Sequence, residues 1–474
     1  TAFPRVTESM GIVFTPVEVV DFIIHSVDWV LNKYFGKSLA SKNVHILDPF
    51  TGTGTFITRT LYYLKQQMDE GKITYDDILS KYMHELHANE IVLLSYYIAA
   101  INIEAVFDEV NGPDRGYKPF EGIVLTDTFE STERQGTLDD DMFGTNNERL
   151  KKQQEVPITA IISNPPYSVG QKNANDNNQN IHYPKLEEQI EKTYVAESTS
   201  NLSKSSYDSY IKAFRWASDR IGKQGVIGFV TNGSYLDSNS TDGLRASLYK
   251  EFNHLYIYNL RGNQRTQGEE SRKEGGKIFG SGSRNTICII VLVKHQGQPF
   301  DGFVHYKDIG DYLTREQKLE IIKNTHDISQ INWERIVPDK NNDWINKTNT
   351  DFERFIPLAG KKLEIGAKSV FSSFYSRGIA TGKDTWIYNF DSNALRNNVA
   401  LFINEYNRQK NIIIPALKGL SPQQKIQKAN NMVTINPKAI KWNAELISYM
   451  SRGGNIDYSD IKFVTALFRP FVKK

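Results

Sequence analysis

Asn164, Pro165, Pro166 and Tyr167 follow directly on the apolar run Ile158 to Ser163, and their types suit methyl transfer to an exocyclic amino group. An amide oxygen and a proline carbonyl accept both hydrogens of a planar amine. Two acceptors that draw those hydrogens out of the ring plane localise the nitrogen lone pair and aim it at a methyl donor. Tyr167 would then stack on the base that carries the amine. For the tetrapeptide alone, a Pro-Pro turn closing a strand, with Asn as turn former, is the plain alternative.

A second group stands upstream. Asp48-Pro49-Phe50-Thr51-Gly52-Thr53-Gly54-Thr55-Phe56 lies between a short apolar stretch, Val44 to Leu47, and a helix-like run, Ile57 to Gln67. This order predicts a strand, a glycine turn and a helix. Gly52 and Gly54 let the backbone approach a ligand, and the helix N-terminus offers its positive dipole. A dinucleotide fingerprint needs a further glycine three residues after Gly54, where Ile57 stands. The loop therefore suits a ligand without a pyrophosphate, and S-adenosyl-L-methionine is the candidate. Taken by itself, the loop also reads as an ordinary strand-to-helix turn.

With both groups in hand, the chain resembles the N6-adenine DNA methyltransferases in which the cofactor motif precedes the catalytic one. Gly11-Ile12-Val13-Phe14-Thr15-Pro16, ahead of a helix-like stretch, is similar to the motif that folds over the methionine end of the cofactor, carried by Phe14, Thr15 and Pro16. The resemblance assigns Asp48, Pro49, Phe50, Gly52 and Gly54 to the cofactor loop. Glu90, after the strand-like Met83 to Asn89, matches the acid on the ribose hydroxyls, and Asp127, past Ile123-Val124-Leu125, matches the acidic position near the cofactor adenine. Phe279, within Ile278-Phe279-Gly280, matches an aromatic on the other face of a flipped base.

The resemblance narrows at Ser168 to Asn180, at Tyr207 to Ala217, at Ser376-Arg377-Gly378-Ile379-Ala380-Thr381-Gly382-Lys383-Asp384 and at Phe468-Arg469-Pro470-Phe471. These stretches resemble the Type ISP family, single-polypeptide restriction-modification enzymes with nuclease, helicase-like translocase, methyltransferase and target-recognition parts on one chain. Such enzymes serve in phage defence. The implied partners are double-stranded DNA and the nuclease, translocase and recognition parts of a parent polypeptide. The chain begins with Thr1 and stops four residues after Pro470, and it reads as an excised portion of such an enzyme.

Around these motifs, strand-like runs recur at Val44 to Leu47, Met83 to Asn89, Ile123 to Leu125, Ile158 to Ser163, Val226 to Val230, Leu255 to Asn259 and Thr286 to Val293, mostly separated by helix-like stretches. That alternation predicts an α/β fold with a largely parallel sheet. The resemblance implies seven strands in a Rossmann-like, S-adenosylmethionine-dependent methyltransferase sheet. Ligands of such sheets bind beyond the carboxyl ends of the strands, where Asp48, Glu90, Asp127 and Asn164 fall. The expected organisation is a methyltransferase domain over 1–337, a linker at Asp339 to Asp343, and over 338–474 a mixed connector and the start of a target-recognition region. Periodicity in this last part is poor, although Leu401 to Tyr406 fits a helix.

Between the catalytic motif and Tyr207 runs a stretch rich in Asn, Gln and Ser, helix-like only over Lys185 to Tyr194. It is too long for an idle connection, and reads either as a loop over the DNA or as a disordered insertion. A second polar loop, Gln264 to Arg284, carries five basic residues ahead of the last strand.

Other chemistries fit less well. A phosphate-binding loop is approached only at Gly378 to Lys383, one residue short and with Asp384 in place of a hydroxyl residue. His84-Glu85-Leu86-His87 lacks the second zinc-protease histidine, since Ala88 stands there, and no metal site is expected. Cys288 is the single cysteine and sits in a buried-strand pattern, so no disulfide within the chain is possible and a reducing cytoplasmic setting is expected. No apolar run reaches transmembrane length, and no membrane partner is expected. Asp351 to Lys474 holds 19 Lys and Arg against 9 Asp and Glu, which leaves the first 350 residues at a net −8 within a total of +2. A basic part beside an acidic core suits DNA contact, and suits a solvated basic surface as well.

The expected reaction is methylation of an adenine flipped out of duplex DNA. A protein glutamine or an RNA amine as acceptor is the alternative within enzymes. A DNA specificity module without catalysis is the alternative from another class.

Overall fold

The computed structural model describes residues 15–130, 140–166, 183–199, 206–280 and 285–347, and beyond them 351, 354–356, 358, 369–371, 382–434, 436, 439–458, 463–468 and 472–473. Two compact units divide between Asn349 and Thr350.

Among the described residues the first unit is built on a sheet of nine strands: β1 (His45–Asp48), β2 (Leu86–Glu90), β3 (Ile123–Leu125), β4 (Ile158–Ser163), β5 (Gln224–Asn232), β6 (His254–Arg261), β7 (Ile287–His295), β8 (Val304–Asp308) and β9 (Glu334–Ile336). Their order is β3-β2-β1-β4-β5-β7-β6-β8-β9. The seven expected strands are all present, and seven is corrected to nine by β8, parallel to β6, and β9, antiparallel to β8. β7 lies antiparallel between β5 and β6. The strand expected from Met83 begins only at Leu86, because Lys81–Glu85 forms a π-helical turn. Lys81 Nζ there donates to Glu85 and to the carbonyls of Ser41 and Val44, so a buried ammonium is fully paired.

Central strands bury both faces, as their unbroken apolar runs require. Alternate residues go to opposite cores. Ala160 and Ile162, Val226 and Val230, and Ile289, Val291 and Val293 face one core, together with the helix Val17–Phe35. Ile161, Ile227, Phe229, Cys288, Ile290 and Leu292 face the other, with the helices Ser209–Arg220 and Asp242–Glu251. Gly228 permits the close approach of the first helix, since a Cβ there would stand 2.7 Å from Val27 and 2.9 Å from Ile23.

The polar run Asp339 to Asp343 packs into the first unit. Asp343 is buried and binds Arg245 Nη2 at 3.0 Å, Asn342 O accepts from Arg245 Nε, and Trp344 is in the core. Lys185 to Tyr194 is helical, as Pro184–Ile190 followed by a π-turn at Glu191–Val195. The loop from Gln264 carries a short helix, Gly268–Glu274.

The second unit holds the helices Asp384–Ile387, Ser392–Ala416, Pro422–Met432 and Ala444–Ser451 and a two-stranded antiparallel sheet, Leu467–Phe468 with Val472–Lys473. Tyr406, Ile413, Ala429, Ile440 and Met450 lie in its core. Asp391 caps the 25-residue helix by accepting from the N–H groups of Asn393 and Ala394. Among the described residues, no helix is long and apolar enough to cross a membrane.

Candidate active site

After β1 the chain moves outward to β2 and β3, then returns to β4 on the opposite side of β1. This reversal opens a crevice beyond the carboxyl ends of β1 and β4, where ligands of such sheets sit. Asp48 is the last residue of β1, and Asn164 follows the last residue of β4.

Ser163 ties the two strand ends together, its hydroxyl donating to Asp48 Oδ1 at 2.5 Å. Phe50 N–H donates to the same oxygen at 3.2 Å. Asp48 Oδ2 is buried and has no hydrogen-bond partner among the described residues. Burial pushes the Asp48 carboxyl up to about 7, against the downward pull of Ser163 and Phe50, with nearby Glu90 adding to the rise.

The glycine loop is shaped by Gly52 at φ 57° and Gly54 at φ 89°. At Gly54 a Cβ would also press on Ile103 at 3.2 Å and on the Ala99 backbone at 3.3 Å. The helix Thr55–Asp69 starts directly after it. Glu90 Oε2 accepts from Gly52 N–H at 2.8 Å and Oε1 from Val92 N–H at 2.7 Å, so the acid ending β2 braces the loop after β1. Burial also raises the Glu90 carboxyl.

Asp127 stands two residues past β3. Its Oδ1 accepts from Phe129 N–H at 3.0 Å and its Oδ2 from Tyr183 OH at 2.8 Å. Phe129 packs between Phe50 and Tyr183, 5.4 Å from each ring. Thr128 Oγ1 donates to Pro49 O at 2.6 Å, joining the segment after β3 to the loop after β1. The partners of these three side chains are N–H groups and hydroxyls rather than cations, so their oxygens are offered to a ligand as hydrogen-bond acceptors.

Asn164 Nδ2 donates to Thr15 Oγ1 at 3.0 Å. Thr15 and Pro16 immediately precede the helix Val17–Phe35, for which Pro16 is the N-cap. Asp48, Pro49, Phe50, Gly52, Gly54, Glu90, Asp127, Thr15, Pro16, Asn164, Pro165 and Pro166 thus lie at strand ends, in the loops that follow them, or at the start of the first helix. Phe14 and Tyr167 lie outside the described residues, as do Gly11 to Val13, Ser168 to Asn180, Ser376 to Thr381 and Arg469 to Phe471. Phe279 is in the core with 1% of its surface exposed, so almost none of its ring is offered to a ligand in this arrangement. Ser163, Thr128, Phe129 and Tyr183 escape sequence reasoning because a Ser at a strand end, or a Tyr within a polar stretch, carries no distinguishing pattern. The adjacency of Thr128 and Phe129 to Asp127 is the one available signal.

Among the described residues no group of three or more His, Cys, Asp or Glu is placed to hold a metal ion. His87 is buried on β2 beside His45, and burial lowers it to about 3.

A sheet reversing between β1 and β4, a glycine loop after the first strand, acids at successive strand ends and an amide across the crevice define a Rossmann-like methyltransferase. Residues 2–252 match the N-6 DNA methylase family, and residues 369–474 match the Type ISP C-terminal specificity domain. The chain belongs to the N-6 DNA methylase family, and its C-terminal part is similar to the Type ISP specificity domain. Its likeness to solved structures runs over nearly its whole length. A nuclease-deletion mutant of the Type ISP restriction-modification enzyme LlaGI, in complex with a DNA substrate mimic, is 57% identical with a TM-score of 0.86, over 98% of this chain and 36% of that one. The ATP-dependent Type ISP enzyme LlaBIII bound to DNA is 48% identical with a TM-score of 0.88, over 100% of this chain and 30% of that one. A DrdV–DNA complex is 34% identical with a TM-score of 0.83, over 99% and 44%. This chain therefore spans about a third of the length of the first two relatives. No curated protein matches it.

Proposed function

We propose that this chain is an adenine-specific DNA methyltransferase that binds S-adenosyl-L-methionine in the crevice between β1 and β4 and methylates N6 of an adenine flipped out of duplex DNA. The observation that carries the reading is Asn164, set at the switch point of the sheet with its amide donor side engaged by Thr15 Oγ1 at 3.0 Å. That bond orients the amide and so fixes which side presents the oxygen acceptor.

The residues present suit the cofactor. Asp48 Oδ2, buried and without a hydrogen-bond partner among the described residues, offers an acceptor to a cationic amine. Glu90 at the end of β2 is placed for ribose hydroxyls, and Asp127 with Phe50 and Phe129 for the adenine. Phe14, Thr15 and Pro16 would cover the methionine end. The cofactor supplies an electrophilic methyl on a good leaving group, which leaves this chain the work of positioning. Asn164 Oδ1 and the Pro165 carbonyl accept the amino hydrogens, Pro166 turns the backbone, and Tyr167 stacks on the base. Phe279 is assigned to the other face of the base by resemblance, and to reach it the ring must leave its present place in the core. Extrusion of the base costs a few kcal/mol, to be met by contacts in the pocket.

Double-stranded DNA as partner is supported by the relatives captured with DNA or a DNA mimic, and by the basic excess after residue 350. We assign residues 1–349 to the methyltransferase domain, which moves the expected boundary at 337 past the packed run Asp339 to Asp343, and residues 350–474 to the start of target recognition. The chain works in the cytoplasm within a phage-defence polypeptide that also carries nuclease and translocase parts.

The test is incubation with radiolabelled S-adenosylmethionine and mixed-sequence duplex DNA, with protein and RNA as parallel acceptors. Label is expected in N6-methyladenine from DNA. Asn164→Ala is expected to abolish transfer while cofactor-dependent thermal stabilisation survives. Label in protein or RNA, or near-normal methylation by the variant, would overturn the reading.

A further inference from the structure

The helix Leu93–Asn111 is apolar on two sides. Its inner side, with Ala99, Ile103 and Phe107 fully buried, belongs to the sheet core. Its outer side shows Leu93, Leu94, Tyr97, Ile98 and Ile101, each 39% to 64% exposed. Their spacing places all five on one stripe along the N-terminal half of the helix. Further along, the outward positions turn polar, with Asn102, Asp108 and Glu109 exposed. Among the described residues of the first unit's helices, the only other large apolar side chain so exposed is Val17.

A helix hydrophobic all round is ordinarily covered, and contiguous exposed apolar surface marks an interaction site. The length of the relatives points to an occupant. The region matching this chain makes up 36% of a LlaGI chain that already lacks its nuclease, so most of that chain lies outside both the matched region and the nuclease. We propose that the stripe is a docking face for an apolar surface on the non-nuclease remainder of the same polypeptide. This rests on the reading that the chain works as part of a longer enzyme. The stripe starts next to Val92, whose N–H holds Glu90, so docking also stiffens the loop that braces the cofactor acid.

In the 474-residue chain the native thiol, Cys288, is buried, and in the longer forms the introduced thiol is followed by peptide mapping, so its labelling is read by itself. Alkylation of the thiols introduced by Leu94→Cys and, separately, Ile101→Cys is compared in the 474-residue chain, in the full polypeptide and in the full polypeptide without its nuclease. Both thiols are expected to react freely in the 474-residue chain and to slow by more than about tenfold in both longer forms. Equal rates in all three, slowing only when the nuclease is present, or slowing in the 474-residue chain as its concentration rises would each overturn the proposal, the last in favour of a second copy. Labelling is read independently of methylation, so a chain that fails to methylate DNA still reports on the stripe.

Discussion

Thr15 Oγ1 and Asn164 Nδ2 meet at 3.0 Å although 149 positions separate them in sequence, so the segment before the first helix sets the orientation of the amide after β4. Thr15→Val keeps the shape and removes the acceptor. A hydrogen bond of this kind is worth about 1 kcal/mol, and methylation turnover is expected to fall about five- to tenfold with little change in KM for DNA. Thr15→Ser, which keeps the hydroxyl, should restore most of the rate. A loss confined to KM for the cofactor, with turnover intact, would show that Thr15 does not position Asn164.

Asp48 gives the protein a pH signature. Burial raises its carboxyl to about 7, so the folded state favours the protonated form. The stability that proton contributes is complete below the ordinary carboxylate value and is lost as pH rises through about 7. Asp48→Asn cannot ionise and escapes the loss. In urea unfolding at a series of pH values, the variant should gain on the parent between pH 4 and pH 8 by on the order of a few kcal/mol. A cationic ligand draws the ionised form, so its binding near neutral pH should release a proton, seen as a buffer-dependent heat in calorimetry.

Arg245 is fully buried, donating to the carbonyls of Tyr235, Ser238 and Asn342 and pairing with Asp343. Removing the carboxylate leaves a buried guanidinium without its counter-charge. Asp343→Ala should cost about 3 kcal/mol or more, measured by denaturant midpoint, whereas substitution of the neighbouring exposed Lys340 should cost little.

Seven strands are legible because each is an apolar run framed by turn residues. β8, Val304-His305-Tyr306-Lys307-Asp308, mixes charge with apolar residues, and β9, Glu334-Arg335-Ile336, is charged at two of its three positions, so neither forms an apolar run. The placement of Asp48, Glu90 and Asn164 at strand ends is readable for the same reason that the strands are. The bonds from Ser163 to Asp48 and from Tyr183 to Asp127 are not, since they depend on which strands become neighbours and on a helix beyond an irregular stretch. In the second unit a small core needs few apolar residues. Phe402, Tyr406 and Ile413 are spread along a 25-residue helix with Pro415 near its end, and a weak stripe of that kind announces the helix at Leu401 to Tyr406 but not its full length.

The Ser163–Asp48 bond spans two parallel strands whose pairing is fixed by the alternation of their side chains between two cores. Sliding β4 by one residue would turn Ser163 away and send the apolar residues of β4 to the wrong sides, so the sheet tolerates no intermediate setting. The pairing of β1 with β4 thus acts as a jig, holding the Asp48 loop and the Asn164 amide at one separation. Because that jig is cut entirely from residues of the first unit, any substitution that leaves this pairing and its two cores intact leaves the alignment of the crevice as it is.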